Sequence, residues 1–290
     1  MNMARPAAPS SGGRLTLRAR LSDGLALVAV HAQPALLMAA SYALLNLLAV
    51  KVAIFLRPDY ADYLHTSAVD GGTRQGADVL LDLLIQTFTV MNLLGHAVIW
   101  ARVCLLGEGR ALAGGFDAFL KRFSVCLTRL LVGGFMSVVF ALPAIMLGAI
   151  LVALLRSSLG VYGNTVGSAA MLIMILIPVG AVAGALILSI CAEAIDRRLS
   201  MMNAMKQTQP AWMRLAVVII VLSGLYTIAA QLAPMIIGRG QIMAGEGIGG
   251  SLGFLIRDAL GLLTFAVAMG GLAPLLRDKK KPAPPEAARD

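Results

Sequence analysis

The sequence predicts an all-α, polytopic membrane protein: six transmembrane helices in three hairpins, with cytoplasmic amphipathic elbow helices. Three observations carry this. Of 290 residues, 59% are hydrophobic and only 13% charged, where a soluble domain has about half and a quarter. Several uncharged runs exceed the roughly 20 residues that span a bilayer. Polar, basic segments separate these runs, and 193–215 (EAIDRRLSMMNAMKQTQPAWMRL) is the clearest of them. Every polar connection is shorter than about 30 residues, which leaves no room for a soluble catalytic domain of about 100.

Residues 1–13 (MNMARPAAPSSGG) predict a disordered cytoplasmic tail. The transmembrane domain is 14–278, in repeat units of about 14–101, 102–192 and 193–276, and 279–290 is a second disordered cytoplasmic tail. The first elbow, 14–32, places Leu17, Leu21, Leu25 and Val28 on one helical face. Gln33-Pro34 breaks it, and helix 1 covers 34–56. A polar loop over 57–78 carries Tyr60, Tyr63 and His65, and helix 2 covers 79–101.

The second elbow lies within 102–129. Leu112, Phe116, Phe119, Leu120 and Phe123 oppose Asp117, Lys121, Ser124 and Thr128. Helix 3 covers 130–155, a turn (RSSLGVYGNT) follows, and helix 4 covers 166–192. In the third elbow Leu199, Met201, Met202 and Met205 share a side opposite Ser200, Asn203 and Gln207, and Pro210 ends it. Trp212 and Arg214 suit the headgroup layer before helix 5, 215–237. Helix 6 covers 252–276.

Most of the 24 Lys and Arg fall on the elbow side, while the largest opposite loop carries Asp59, Asp62, Asp70 and Asp78. Both termini and the elbows are therefore expected in the cytoplasm of a bacterium, with the chain multi-pass in the inner membrane. The net charge of +9 is spread over several segments without aromatic interleaving, which argues against nucleic acid. The expected partners are membrane lipids and another membrane protein or a second copy. Cys104, Cys126 and Cys191 each sit where an apolar run meets a basic segment, and they read as reduced.

Aligned on one another, the second and third units superpose Glu108 on Glu193, Lys121 on Lys206 and Arg129 on Arg214. The first and third superpose Gln33-Pro34-Ala35 on Gln209-Pro210-Ala211. Successive units start two spans apart and enter the membrane in the same direction, a parallel repeat.

The run from Cys191 to Leu215 resembles the bacterial glycerophosphoryl diester phosphodiesterase membrane-domain family and related six-span proteins. There a helix ends in Glu, an Ala-rich amphipathic stretch follows, and a basic residue opens the next span. LAPLLRD, at the end of helix 6, is similar to that family's last span and its terminal arginine, and the resemblance covers about Leu15 to Asp278. It implies a six-span integral membrane domain. This chain carries no attached phosphodiesterase domain, so the resemblance implies no hydrolase activity. Pro274-Leu275-Leu276 stands where the family often has a Tyr.

No catalytic, cofactor or metal-binding residue is assigned. His31, His65 and His96 lie in different segments, outside any zinc-protease pattern, and Ser137, Ser189 and Ser223 sit in no nucleophile motif. Small residues at Gly133, Ser137, Gly180 and Gly184 suit close helix packing. Asn92 and His96, four apart on helix 2, form an intramembrane polar pair, read as a helix–helix hydrogen bond or as a proton or substrate contact. Pro143 and Pro178 lie near mid-span, read as tolerated kinks or as a hinge. Lys51, Asp82, Arg257 and Asp258 fall about 26–30 Å from the elbow ends of their helices. They either snorkel separately or form an outer-side cluster in which Asp82 pairs with Lys51 or Arg257. The function expected is non-catalytic: an envelope-organising, assembly or partner-binding component. The alternative is a transporter or channel for a lipid or small amphiphile.

Overall fold

The computed structural model describes residues 17–69, 76–208, 217, 221, 245, 247–272 and 276. The two tails, Pro210, Trp212, Arg214 and, apart from Val217 and Val221, the expected fifth span lie outside the described residues. Among the described residues the chain is all-helical. The elements are α1 (Leu17–Val30), α2 (Ala32–Leu56), α3 (Asp59–Val69), α4 (Gly76–Leu106), α5 (Glu108–Ala111), α6 (Gly115–Ala194), α7 (Met201–Thr208) and α8 (Gly247–Leu272). Five stretches are long and apolar enough to cross a membrane: α2, Asp78–Leu106 in α4, Gly115–Ser158 and Val166–Ala194 in α6, and α8. Such a set marks a membrane-embedded protein.

The chain departs from the expected breaks where local chemistry permits helix. α1 and α2 meet at His31, not at Gln33-Pro34, and hydrogen bonds from His31 to Leu27 and from Ala35 to His31 carry the ladder across. Pro34 sits in the first turn of α2, where its missing N–H costs nothing. The expected polar loop after helix 1 contains α3, with Asp59 and Asp62 in its first turn, favourable at a helix N-terminus. The second elbow is not a separate helix. It forms the first turns of α6, because nothing between Phe116 and Val132 breaks a helix.

α6 stays helical through Pro143 and Pro178, and Gly160 (φ 60°, ψ −132°) is its one non-helical residue. Only glycine adopts that backbone readily. Around this pivot the two limbs fold back on each other: Gly148 lies against Met171, Gly167 against Val152 and Gly133 against Leu186.

α1 docks on α8 through glycines. Gly24 lies against the Val267 backbone, and a Cβ on Gly270 would come within 3.1 Å of Gly24 Cα. The buried stripe of α1 is thus Gly24 with Leu27 and Val28, whereas Leu25 faces out. Met201, Ala204 and Thr208 are buried and Met205 packs on the core, but Met202 is 57% exposed. Ser200 caps α7, its Oγ accepting from Asn203 N–H at 3.3 Å.

The core joins these elements. Trp100 lies buried between α4 and α8 and donates to the Ala266 carbonyl at 3.0 Å. Cys104, Cys126 and Cys191 are free thiols within one buried cluster.

Candidate functional site

A polar chain joins Asn92, His96, Arg257 and Asp258, four of the residues singled out in the spans, and its central link is buried Asn46, which the sequence reading passed over. Asn46 of α2, Asn92 of α4 and Asp258 of α8 each lie about 14 residues, or roughly 21 Å, from the α5 end of their own helix. Asn92 Nδ2 donates to Asn46 Oδ1 at 2.9 Å and to the Tyr42 carbonyl at 3.1 Å. Asn46 Nδ2 donates to Asp258 Oδ2 at 2.8 Å. Arg257 Nε donates to the other oxygen, Oδ1, at 2.9 Å, and its guanidinium lies over the Phe254 ring. Asn46 and Asp258 are buried, so each lost partner would leave a polar group in an apolar layer.

Below Asn92 the chain continues through His96. Its Nδ1 lies 2.8 Å from the Asn92 carbonyl and its Nε2 lies 2.8 Å from Ser41 Oγ. A carbonyl only accepts, so Nδ1 carries a proton toward Asn92, while the single Ser41 hydroxyl hydrogen has two acceptors in reach, the Met38 carbonyl at 3.0 Å and Nε2. Tyr42 packs edge-on against the same imidazole, with ring centroids 5.7 Å apart. Asn92 and His96 thus touch through the Asn92 backbone rather than its side chain.

Arg257 and Asp258 pair at 2.7 Å. Lys51 donates to the Gly245 carbonyl, which also accepts from Ser251 Oγ at 2.6 Å. Asp82 accepts from Gln86 at 2.9 Å and from the Tyr60 hydroxyl at 3.4 Å. Burial, then the Asp82 charge, pushes the Tyr60 phenol above its usual range, so it remains a donor. Nearby, Arg57 lies 3.2 Å from buried Asp78.

A second polar system holds the α5 end together. The buried Arg102 guanidinium donates to the carbonyls of Ala111 (2.6 Å), Ala194 (2.7 Å), Arg110 (3.0 Å) and Ala113 (3.2 Å). It therefore stitches the α5–α6 connection to the last turn of α6. That turn closes with Arg197 N–H bonded to the Ala192 carbonyl, Asp196 N–H to the Glu193 carbonyl, and Asp196 at φ 59°, a Schellman cap with Asp where glycine is usual. The Asp196 carboxylate takes both Nε and Nη2 of Arg122 at 2.8 Å. That hydrogen bonding, with the charges of Arg122, Arg102 and Lys121, holds Asp196 below the usual carboxylate range. Arg129 joins Glu193 at 2.6 Å and Ser189, while His31 meets Glu108 at 2.8 Å.

Beside the mid-membrane chain lies a cavity of about 390 Å³ among α2, α4, α6 and α8, lined by Tyr42, Leu93, Leu130, Ile187, Phe265 and Thr264 among others. Its walls are almost wholly apolar. The residues missed in sequence are Ser41, Asn46, Arg102, Arg122 and Asp196. Asn46 had a readable signal, a lone carboxamide inside an uncharged run, four residues after Tyr42. Arg102 had none, since a buried arginine and a headgroup arginine look alike in sequence. Comparison with protein-family models, with curated proteins and with solved structures finds no match.

Proposed function

We propose that this chain is a non-catalytic integral membrane protein that binds a protein partner within the bilayer. The carrying observation is uneven cover. In the first limb of α6, Gly115–Ser158, the most apolar stretch is only 11% buried, against 33–44% in the other four candidate spans. Phe135, Val138, Leu142, Met146 and Ile150 all face out, and Gly134 leaves open space beside them. Small residues let a second helix approach closely. The polar chain through Asn46 and the Arg102 stitching support a fixed scaffold, because such bonds register helices against one another. The topology that fits best is six spans with cytoplasmic elbows and termini in the inner membrane. Glu108 and Glu193, equivalent positions in that parallel repeat, would each then meet a basic side chain of the preceding unit, His31 and Arg129.

The test is a photo-crosslinking residue placed at Phe135 or Met146 in native membranes. Protein-sized adducts are expected, formed with another protein or with a second copy. Adducts with lipid alone at both positions would overturn the reading. The 390 Å³ cavity favours a second reading, an amphiphile carrier. A carrier must hydrate this path, so cysteines at Leu93 and Ile187 would then react with a water-soluble maleimide.

A further inference from the structure

A second cavity, of about 360 Å³, opens at the α5 end of the bundle, away from the mid-membrane cleft. Its walls are of two kinds. Arg102 and Arg122 supply two guanidinium groups, while Ile99, Leu112, Phe116 and Phe119 supply apolar surface. Leu112 is 74% and Phe116 71% exposed. Gly115 forms part of the lip, and a side chain there would meet nothing within 4 Å. Asp196 pairs with Arg122 at 2.8 Å and lies 3.9 Å from Arg102, and the Glu193 charge also bears on Arg122.

We propose that this cavity binds an anionic phospholipid, its phosphodiester headgroup over Arg122 and its first acyl carbons along Leu112 and Phe116. Charge complementarity decides the occupant. Two arginines and no carboxylate are among the residues that line it, and a partly desolvated guanidinium favours phosphate oxygens. A free phosphate would satisfy the arginines but make no use of the two exposed apolar side chains. The volume falls within the roughly 300–1,000 Å³ usual for small-molecule sites. Asp196 acts as a placeholder: it keeps Arg122 paired and aimed at the cavity, and a headgroup competes with it. The inference needs only the membrane-embedded setting, and stands or falls separately from the partner surface on α6.

The experiment measures lipid binding to the detergent-purified chain by native mass spectrometry and thermal unfolding. The probes are phosphatidylglycerol, phosphatidylcholine and inorganic phosphate at equal concentration. Phosphatidylglycerol should bind and stabilise most. Arg122→Gln should weaken its binding about five-fold, the loss of one surface cation. Asp196→Asn, which breaks the same ion pair but keeps the cation, should leave binding unchanged or tighter. Leu112→Ser with Phe116→Ser should also weaken it. Three results overturn the proposal: equal binding of both lipids by the unaltered protein, stabilisation by phosphate matching that by phosphatidylglycerol, or equal weakening by Arg122→Gln and Asp196→Asn. If the variants fail to assemble, the unaltered protein's preference between the three probes decides the matter.

Discussion

Arg102 and Asp196 show how much single side chains carry here. Arg102 satisfies four carbonyls, three in the α5–α6 connection and one at the end of α6, with one planar group. Lysine offers a point charge without that fork. Arg102→Lys should therefore lower stability by about 2–4 kcal/mol, leaving buried carbonyls unpaired, and thermal unfolding in detergent would read it. Asp196 tests charge against backbone. Its carboxylate is held below its ordinary range, so its stabilisation is present above the unfolded-state value and is lost as pH falls through the lower folded-state value. Its side chain is 64% exposed, so solvent screening keeps that term below about 1 kcal/mol. Asp196→Asn should flatten the acid side of the stability profile. Asp196→Gly relieves the left-handed backbone at φ 59° yet loses the Arg122 pair, so it should differ from Asp196→Ala by about 1 kcal/mol in its favour.

Among the elements, α7 and α1 separate what periodicity can reveal from what it cannot. Helical phase placed Met201, Met202 and Met205 together. The angular position of the neighbour was not legible, because it depends on where α6 delivers the chain. The buried stripe therefore centres on Ala204, and Met202 faces out. Met201→Asp should impair accumulation in the membrane, whereas Met202→Asp should be tolerated; equal damage would argue against this stripe. In α1 large residues looked like the docking face, but Gly24 does the docking, since backbone approach to Val267 needs the absence of a side chain. Gly24→Val should release α1 from α8, seen as faster proteolysis near 17–30 with the rest of the bundle intact.

For the whole molecule, the membrane-embedded helical class was legible from composition and run length alone. The individual spans around 34–56, 79–101 and 252–276 were also placed close to their observed helices. Pairings between helices were not legible, since Asn46, Asn92 and Asp258 are far apart in sequence and only packing brings them to one level. Interhelical hydrogen bonds in membranes average about 0.6 kcal/mol, so Asn46→Leu should cost little by itself. Asn46→Leu combined with Asp258→Asn should cost less than the two single losses added, a coupling measurable by a double-mutant cycle. Orientation is checked with fusions: a reporter after Asp290 should be active in the cytoplasm and one inserted near Gly72 active outside. A cytoplasmic Gly72 would refute the six-span arrangement.

The reversal at Gly160 has a consequence for how the protein meets its surroundings. Helix resumes at once on either side of that residue, so the central pair of limbs presents a blunt tip with no slack. The connection after α2, by contrast, builds a crown of α3 with its tyrosines, Arg57, Asp78 and Asp82. Anything that reads the molecule from that side and chooses between these two connections must read the crown, and mutations that alter such recognition should map to 57–82 rather than to the tip.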